Sequence, residues 1–129
     1  MAQEVLIVDD DPALLKLVGL LLKKLDVHSL TADCGKAALE VIAANHIDLV
    51  ILDLMLPDMD GVEVLSRIRQ NESLEHMGVL VLSAKADPNT IRYVLDQGAD
   101  GYLTKPYLAS NLLHRVSILL EARATAQEE

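Results

Sequence analysis

The chain has 129 residues, 51% of them hydrophobic, which is enough to fill one continuous core and points to a single domain. A net charge of −9 opposes phosphate backbones, so no direct nucleic-acid binding is expected; the acidity instead favours solubility and would steer a basic partner surface. Lys16, Lys23 and Lys24 break the most apolar stretch well short of the roughly 20 residues of a bilayer span, which argues against membrane insertion.

The amino terminus, Met-Ala-Gln-Glu, runs straight into strand-like residues and lacks the basic segment and small-residue cleavage site of a secretory signal, so the expected location is the cytoplasm. Cys34 is the one cysteine; it can form neither an internal disulfide nor a zinc set, and reads as structural or incidental. Phe and Trp are absent and the only aromatics are Tyr93, Tyr102 and Tyr107, so the core must be aliphatic and there is no base-stacking platform.

Short apolar runs alternate with segments of helical period, the pattern of a parallel sheet with helices on both faces. Strand 1 is expected at Glu4–Val8. Asp11 as N-cap and Pro12 in the first turn open a helix to Leu25, with Leu14, Leu17, Val18, Leu21 and Leu25 as its inward stripe. Strand 2, Val27–Thr31, carries His28 and reads as an edge; Asp33 is expected to cap a second helix to Asn45. Strand 3, Asp48–Leu52, is apolar after its first residue and reads as central. The turn-formers Pro57 to Gly61 precede a helix over Val62–Gln70. Strand 4 is expected at Val79–Leu82, a fourth helix between Asp87-Pro88 and Gly98, strand 5 at Tyr102–Thr104 and a fifth helix over Leu108–Arg123.

Polar chemistry sits where these strands end: Asp9 and Asp10 after strand 1, Asp53 after strand 3, Ser83 after strand 4 and Lys105 after strand 5. Open parallel sheets bind ligands beyond the carboxyl ends of their strands, so these side chains are expected at one crevice. Three carboxylates together repel one another unless a cation joins them. Magnesium, which takes one or two carboxylates plus waters and phosphate oxygens, suits the set: Asp10 and Asp53 as direct ligands, Asp9 through a water, and the Met55 backbone carbonyl completing the protein's share. The bland alternative, that Asp9 and Asp10 share capping with Asp11, leaves two aspartates redundant. A strand-end carboxylate beside a metal is a competent nucleophile toward phosphorus, which makes Asp53 the candidate acceptor; Ser83 and Lys105 would stabilise the equatorial oxygens.

The ordered set Asp9-Asp10, Asp53 with Pro57 and Gly61 following, Ser83-Ala84 and Lys105-Pro106 resembles the receiver domain of two-component response regulators. The resemblance covers nearly the whole chain. It implies an α/β fold, a single doubly wound, flavodoxin-like (βα)5 domain over residues 4–122 with parallel sheet order 2-1-3-4-5, followed by a C-terminal tail or the start of a linker over residues 123–129. It also implies Mg2+-dependent transfer of a phosphoryl group to Asp53 from a sensor histidine kinase or a histidine phosphotransfer protein, docking near helix 1 and the strand 5–helix 5 loop. Ser83 would then swing toward the phosphoryl group and Tyr102 follow it inward, altering the helix 4–strand 5–helix 5 surface that controls a downstream effector protein or domain. Such a domain is a phosphoacceptor rather than an enzyme with separate substrates, and works as a monomer or a phosphorylation-promoted homodimer. Met55, Ala84 and Lys85 flank the opening and are expected to tune the lifetime of the aspartyl phosphate.

Three other readings fit less of the sequence. An aspartyl-phosphate hydrolase of the haloacid dehalogenase type needs a general acid two residues after the nucleophile, where this chain has Met55. A flavodoxin would cradle phosphate in the first loop, where Asp9, Asp10 and Asp11 repel it. A pseudo-receiver would have lost carboxylates that are present here. A receiver fragment of a longer transcriptional or enzymatic regulator has the same site, since no effector domain follows helix 5 in this sequence.

Overall fold

The computed structural model describes residues 3–128, the last five of them as backbone. The amino-terminal Met1 and Ala2 and the final tail residue Glu129 lie outside the described residues. Five strands form one parallel sheet in the order β2-β1-β3-β4-β5. They are β1 (Glu4–Val8), β2 (His28–Ala32), β3 (Leu49–Asp53), β4 (Gly78–Ser83) and β5 (Gly101–Thr104), alternating with α1 (Pro12–Leu22), α2 (Gly35–Ala44), α3 (Gly61–Gln70), α4 (Pro88–Asp96) and α5 (Ala109–Glu128).

The alternation of side chains along each strand builds two cores. Leu6, Val8, Val50, Leu52, Val79 and Val81 face α2, α3 and α4, meeting Ile42, Leu65, Ile68 and Val94. Val5, Ile7, Leu49, Ile51, Leu80 and Leu82 face α1 and α5, meeting Val18, Leu22, Leu112, Val116 and Leu120. Each fully buried side chain of this size contributes about 1.5–3 kcal/mol of apolar transfer. Every residue of β3 is buried, as expected for a central strand, and β2 is an edge, with His28 exposed.

Helix boundaries follow local chemistry. Asp11 caps α1 by accepting from the Ala13 N–H at 2.9 Å, with Pro12 in the first turn. Asp60 caps α3 through the Val62 N–H, and Asp87 caps α4 through the Thr90 N–H and hydroxyl. Gly98, at φ +112°, ends α4 in a conformation that L side chains rarely adopt.

Four expectations are corrected. The first helix stops at Leu22 and tightens into a 3-10 turn over Lys23–Leu25. Its inward face is Val18 and Leu22, with Leu21 and Leu25 packed beside them, whereas Leu17 is 47% exposed and Leu14 half-buried. The segment PALLKLVGLLL is apolar nearly all round, so its own period does not choose a face. The second helix is capped by Cys34, not Asp33. Finally, α5 continues past the expected end at Arg123 to Glu128. The strand edges otherwise shift by about one residue, within the usual ambiguity of element ends.

Candidate functional site

The sheet order reverses between β1 and β3, whose carboxyl ends carry Asp9, Asp10 and Asp53. Carboxylate oxygens of the three aspartates lie within 4.8 Å of one another; Asp9 and Asp53 are buried and Asp10 is exposed. Asp9 is fixed by its own N–H, which donates to the Ala32 carbonyl at 3.1 Å, and by its Oδ1, which accepts from the Asp11 N–H at 3.0 Å. The Oδ1 of Asp53 accepts from the Met55 N–H at 3.1 Å.

Lys105 reaches in from the loop after β5. Its Nζ donates to Asp9 Oδ2 at 3.0 Å and to Asp53 Oδ2 at 3.2 Å. Burial opposes its charge, but the two carboxylates outweigh that cost and raise its pKa above the usual lysine value. The Lys105 N–H also donates to the Ser83 carbonyl at 2.9 Å, which ties the loop to β4.

Ser83 ends β4, one position beyond the residue that pairs with Asp53, and is fully buried; its Oγ accepts from the Lys85 N–H at 3.2 Å. Ala84 and Lys85 are exposed in the loop that follows, and the Met55 side chain is exposed on the other rim. Tyr102, expected to move inward as part of a switch, stands inward in this structure: it is buried, and its hydroxyl donates to the Lys85 carbonyl at 2.7 Å. The site therefore brings Asp9, Asp10, Asp53 and Lys105 together, with Ser83 on the adjacent strand end and Tyr102 linked to the same loop through Lys85.

A model of the response regulator receiver domain matches residues 5–117. The chain belongs to that family. Among curated relatives, this receiver is 37% identical over 124 residues to the transcriptional regulatory protein KdpE of Mycobacterium tuberculosis, covering 96% of this chain and 54% of that protein. It is 43% identical over 108 residues to the sensor histidine kinase GacS of Pseudomonas protegens, covering 81% of this chain but 12% of that protein. The receiver thus spans about half of KdpE and a small part of GacS. Among solved structures, a CheY-like receiver domain protein from Methanospirillum hungatei superposes with a TM-score of 0.89 at 26% identity, over 98% of this chain and 99% of that one.

Three structural features of the receiver were not read from its sequence. Asp58 accepts from the Gly35 N–H at 2.8 Å and the Lys36 N–H at 2.9 Å, bonds that span more than 20 residues and have no local signature. Gly61 lies so close to the end of β3 that a Cβ there would fall 2.6 Å from the Asp53 carbonyl oxygen, so only glycine allows α3 to start against Asp53. The Tyr107 hydroxyl is buried without a hydrogen-bond partner among the described residues, and burial pushes its pKa up.

The donor set fits a small hard cation: three carboxylates with oxygens in reach of one another, one of them exposed on the open side. Among the described residues, no helix is long and apolar enough to cross a membrane.

Proposed function

We propose that this receiver takes a phosphoryl group onto Asp53 from a phosphohistidine of a sensor kinase or phosphotransfer protein, in a Mg2+-dependent reaction, and passes the change to a downstream partner or domain. The observation that carries the reading is Lys105 Nζ standing between Asp9 and Asp53, with Asp10 in the same carboxylate cluster. Asp10, Asp53 and the Met55 carbonyl would hold the cation, with Asp9 acting through a water. When bound, the cation neutralises charge on the phosphoryl oxygens.

The Asp53 carboxylate attacks phosphorus, a P–O bond forms as the P–N bond of phosphohistidine breaks, and the imidazole leaves. Lys105 and the Ser83 hydroxyl stabilise the equatorial oxygens. Deactivation is a separate hydrolysis: water attacks phosphorus, the P–O bond to Asp53 breaks, and inorganic phosphate departs, restoring the carboxylate. Met55, Ala84 and Lys85 line that water's approach and set its rate. The chain acts as a self-modifying phosphoacceptor, not as an enzyme turning over separate substrates.

The donor's approach is open between α1 and the loop after β5. A groove of about 450 Å3, lined by Leu14, Leu17, Ala84, Lys105, Pro106 and Tyr107, opens beside the Lys105 ammonium. Leu14 and Leu17 of α1, which do not belong to the core, lie at this groove. On the output side, the bond from Tyr102 to Lys85 holds the loop before α4, so drawing Ser83 toward a phosphoryl oxygen biases the α4–β5–α5 face. Tyr93 and Leu95 are exposed on α4 for a partner or a second copy to contact.

The test is incubation with acetyl phosphate, with and without magnesium, followed by intact mass measurement. The reading expects one added phosphoryl group on the wild type, only with magnesium, and none on Asp53→Asn. Rapid release of phosphate with no adduct would point to a phosphatase instead. Replacing Met55 and Lys85 together and finding an unchanged dephosphorylation rate would remove their tuning role.

A further inference from the structure

We infer that Asp58 is a positioning residue for the cation site, clamping the loop after the acceptor onto the N-terminus of α2. The inference rests on the magnesium reading above.

The loop over residues 54–60 carries the Met55 carbonyl. Its near side is held by β3 and α3: Met55 bridges Asp60, and the Gly61 N–H donates to the Leu54 carbonyl at 2.9 Å. Its far side is held from elsewhere. Asp58 Oδ1 and Oδ2 accept from the first two backbone N–H groups of α2, and Met59 sits on Gly35 so closely that a Cβ there would clash with its Cγ. The local cap of α2 is the Cys34 thiol at 3.4 Å from the Ala37 N–H, a weak acceptor, so the carboxylate supplies most of the capping.

The N-terminus of α2 is itself registered to the other wall of the site. It follows the end of β2, whose Ala32 carbonyl accepts from the Asp9 N–H. A closed path therefore runs from Asp9 through Ala32 to Gly35, across Asp58 to the loop bearing Met55, back to Asp53, and through the pairing of β3 with β1 to Asp9. The clamp closes that path and sets the spacing between the Asp9-Asp10 wall and the Met55 wall.

Magnesium demands near-ideal octahedral distances, whereas calcium accepts longer and more irregular ones. Loss of the clamp should therefore penalise magnesium more than calcium, a change of selectivity that lower stability alone does not produce. Outer groups that orient metal ligands are commonly worth about 10–100-fold in affinity.

The experiment measures magnesium and calcium binding by titration calorimetry, and thermal stability, for the wild type, Asp58→Ala, Asp58→Asn, Asp10→Asn and the pair Cys34→Ser with Asp58→Ala. Asp58→Ala should weaken magnesium about tenfold and calcium distinctly less, with Asp58→Asn in between because its amide oxygen keeps one acceptor. Serine is a better N-cap than cysteine, so the double variant should regain melting temperature without regaining magnesium affinity. Wild-type magnesium affinity in folded Asp58→Ala, equal losses for both ions, or recovery of affinity along with stability in the double variant would each overturn the clamp. If Asp58→Ala does not fold, the same ratio is read from Asp58→Asn. Failure of the underlying reading looks different: the wild type would not bind magnesium, or Asp10→Asn would bind it as well as the wild type.

Discussion

Lys105 Nζ stands 3.2 Å from Asp53 Oδ2, although 52 residues separate the two in sequence. The same ammonium also holds Asp9, so it is the counter-charge for two buried carboxylates. Lys105→Met leaves those carboxylates facing each other. Phosphorylation by acetyl phosphate should slow by roughly 100-fold or more, the scale of losing one charge-stabilising donor. Stability in magnesium-free buffer should fall by about 1–3 kcal/mol, between the surface and buried limits for a broken pair. Mass time courses and denaturant melts check both; a rate within about twofold of wild type would assign the charge stabilisation elsewhere.

Magnesium itself should stabilise the fold, because it relieves repulsion among Asp9, Asp10 and Asp53. A ligand at about 100 times its Kd adds about 2.7 kcal/mol. Thermal melts in magnesium and in chelator, matched for ionic strength, should show that gain for the wild type and little of it for Asp10→Asn. Equal gains in both proteins would place the ion away from Asp10.

The Tyr102 hydroxyl is the tie between β5 and the loop before α4. Tyr102→Phe keeps the ring in its core and removes one hydrogen bond, a loss of about 0.5–1.5 kcal/mol. Hydrogen exchange should quicken over residues 84–90 while Asp53 still accepts phosphate. Unchanged exchange there would mean that the loop is held by other contacts.

Asp58 has a signed pH dependence. The Lys36 and Gly35 N–H groups hold its carboxyl below the ordinary value of 3.8. A lowered folded pKa gives stability that is fully present above the unfolded value and lost as pH falls through the folded one. The difference in unfolding free energy between wild type and Asp58→Asn should stay constant from pH 7 to about 5 and narrow only below 3.8. Denaturant melts across that range test it, and narrowing already between pH 7 and 5 would assign the effect to a different group.

What could be read in advance was local. The apolar runs that became β1, β3 and β4 are short, continuous and flanked by turn chemistry, and Asp11-Pro12 and Asp87-Pro88 mark helix starts by their own residues. The inward face of α1 was not legible, because leucines surround that helix and the position of α5 decides which of them are covered. Nor was the cap of α2: Asp33 is a better capping residue than Cys34, yet Asp58 arrives from the loop after β3 and takes over the first two N–H groups.

The amino-acid order alone placed Asp9, Asp10, Asp53, Ser83 and Lys105 at strand ends, because strand period and turn residues act over a few positions and fix which side chains come last. Folding decided the distances. Lys105 meets Asp9 across 96 residues only because β1, β3, β4 and β5 stack in a set order, and Tyr102 finds Lys85 only because β5 lies against β4. Such pairings depend on the summed burial of two cores and on long loops closing, and no local pattern encodes either.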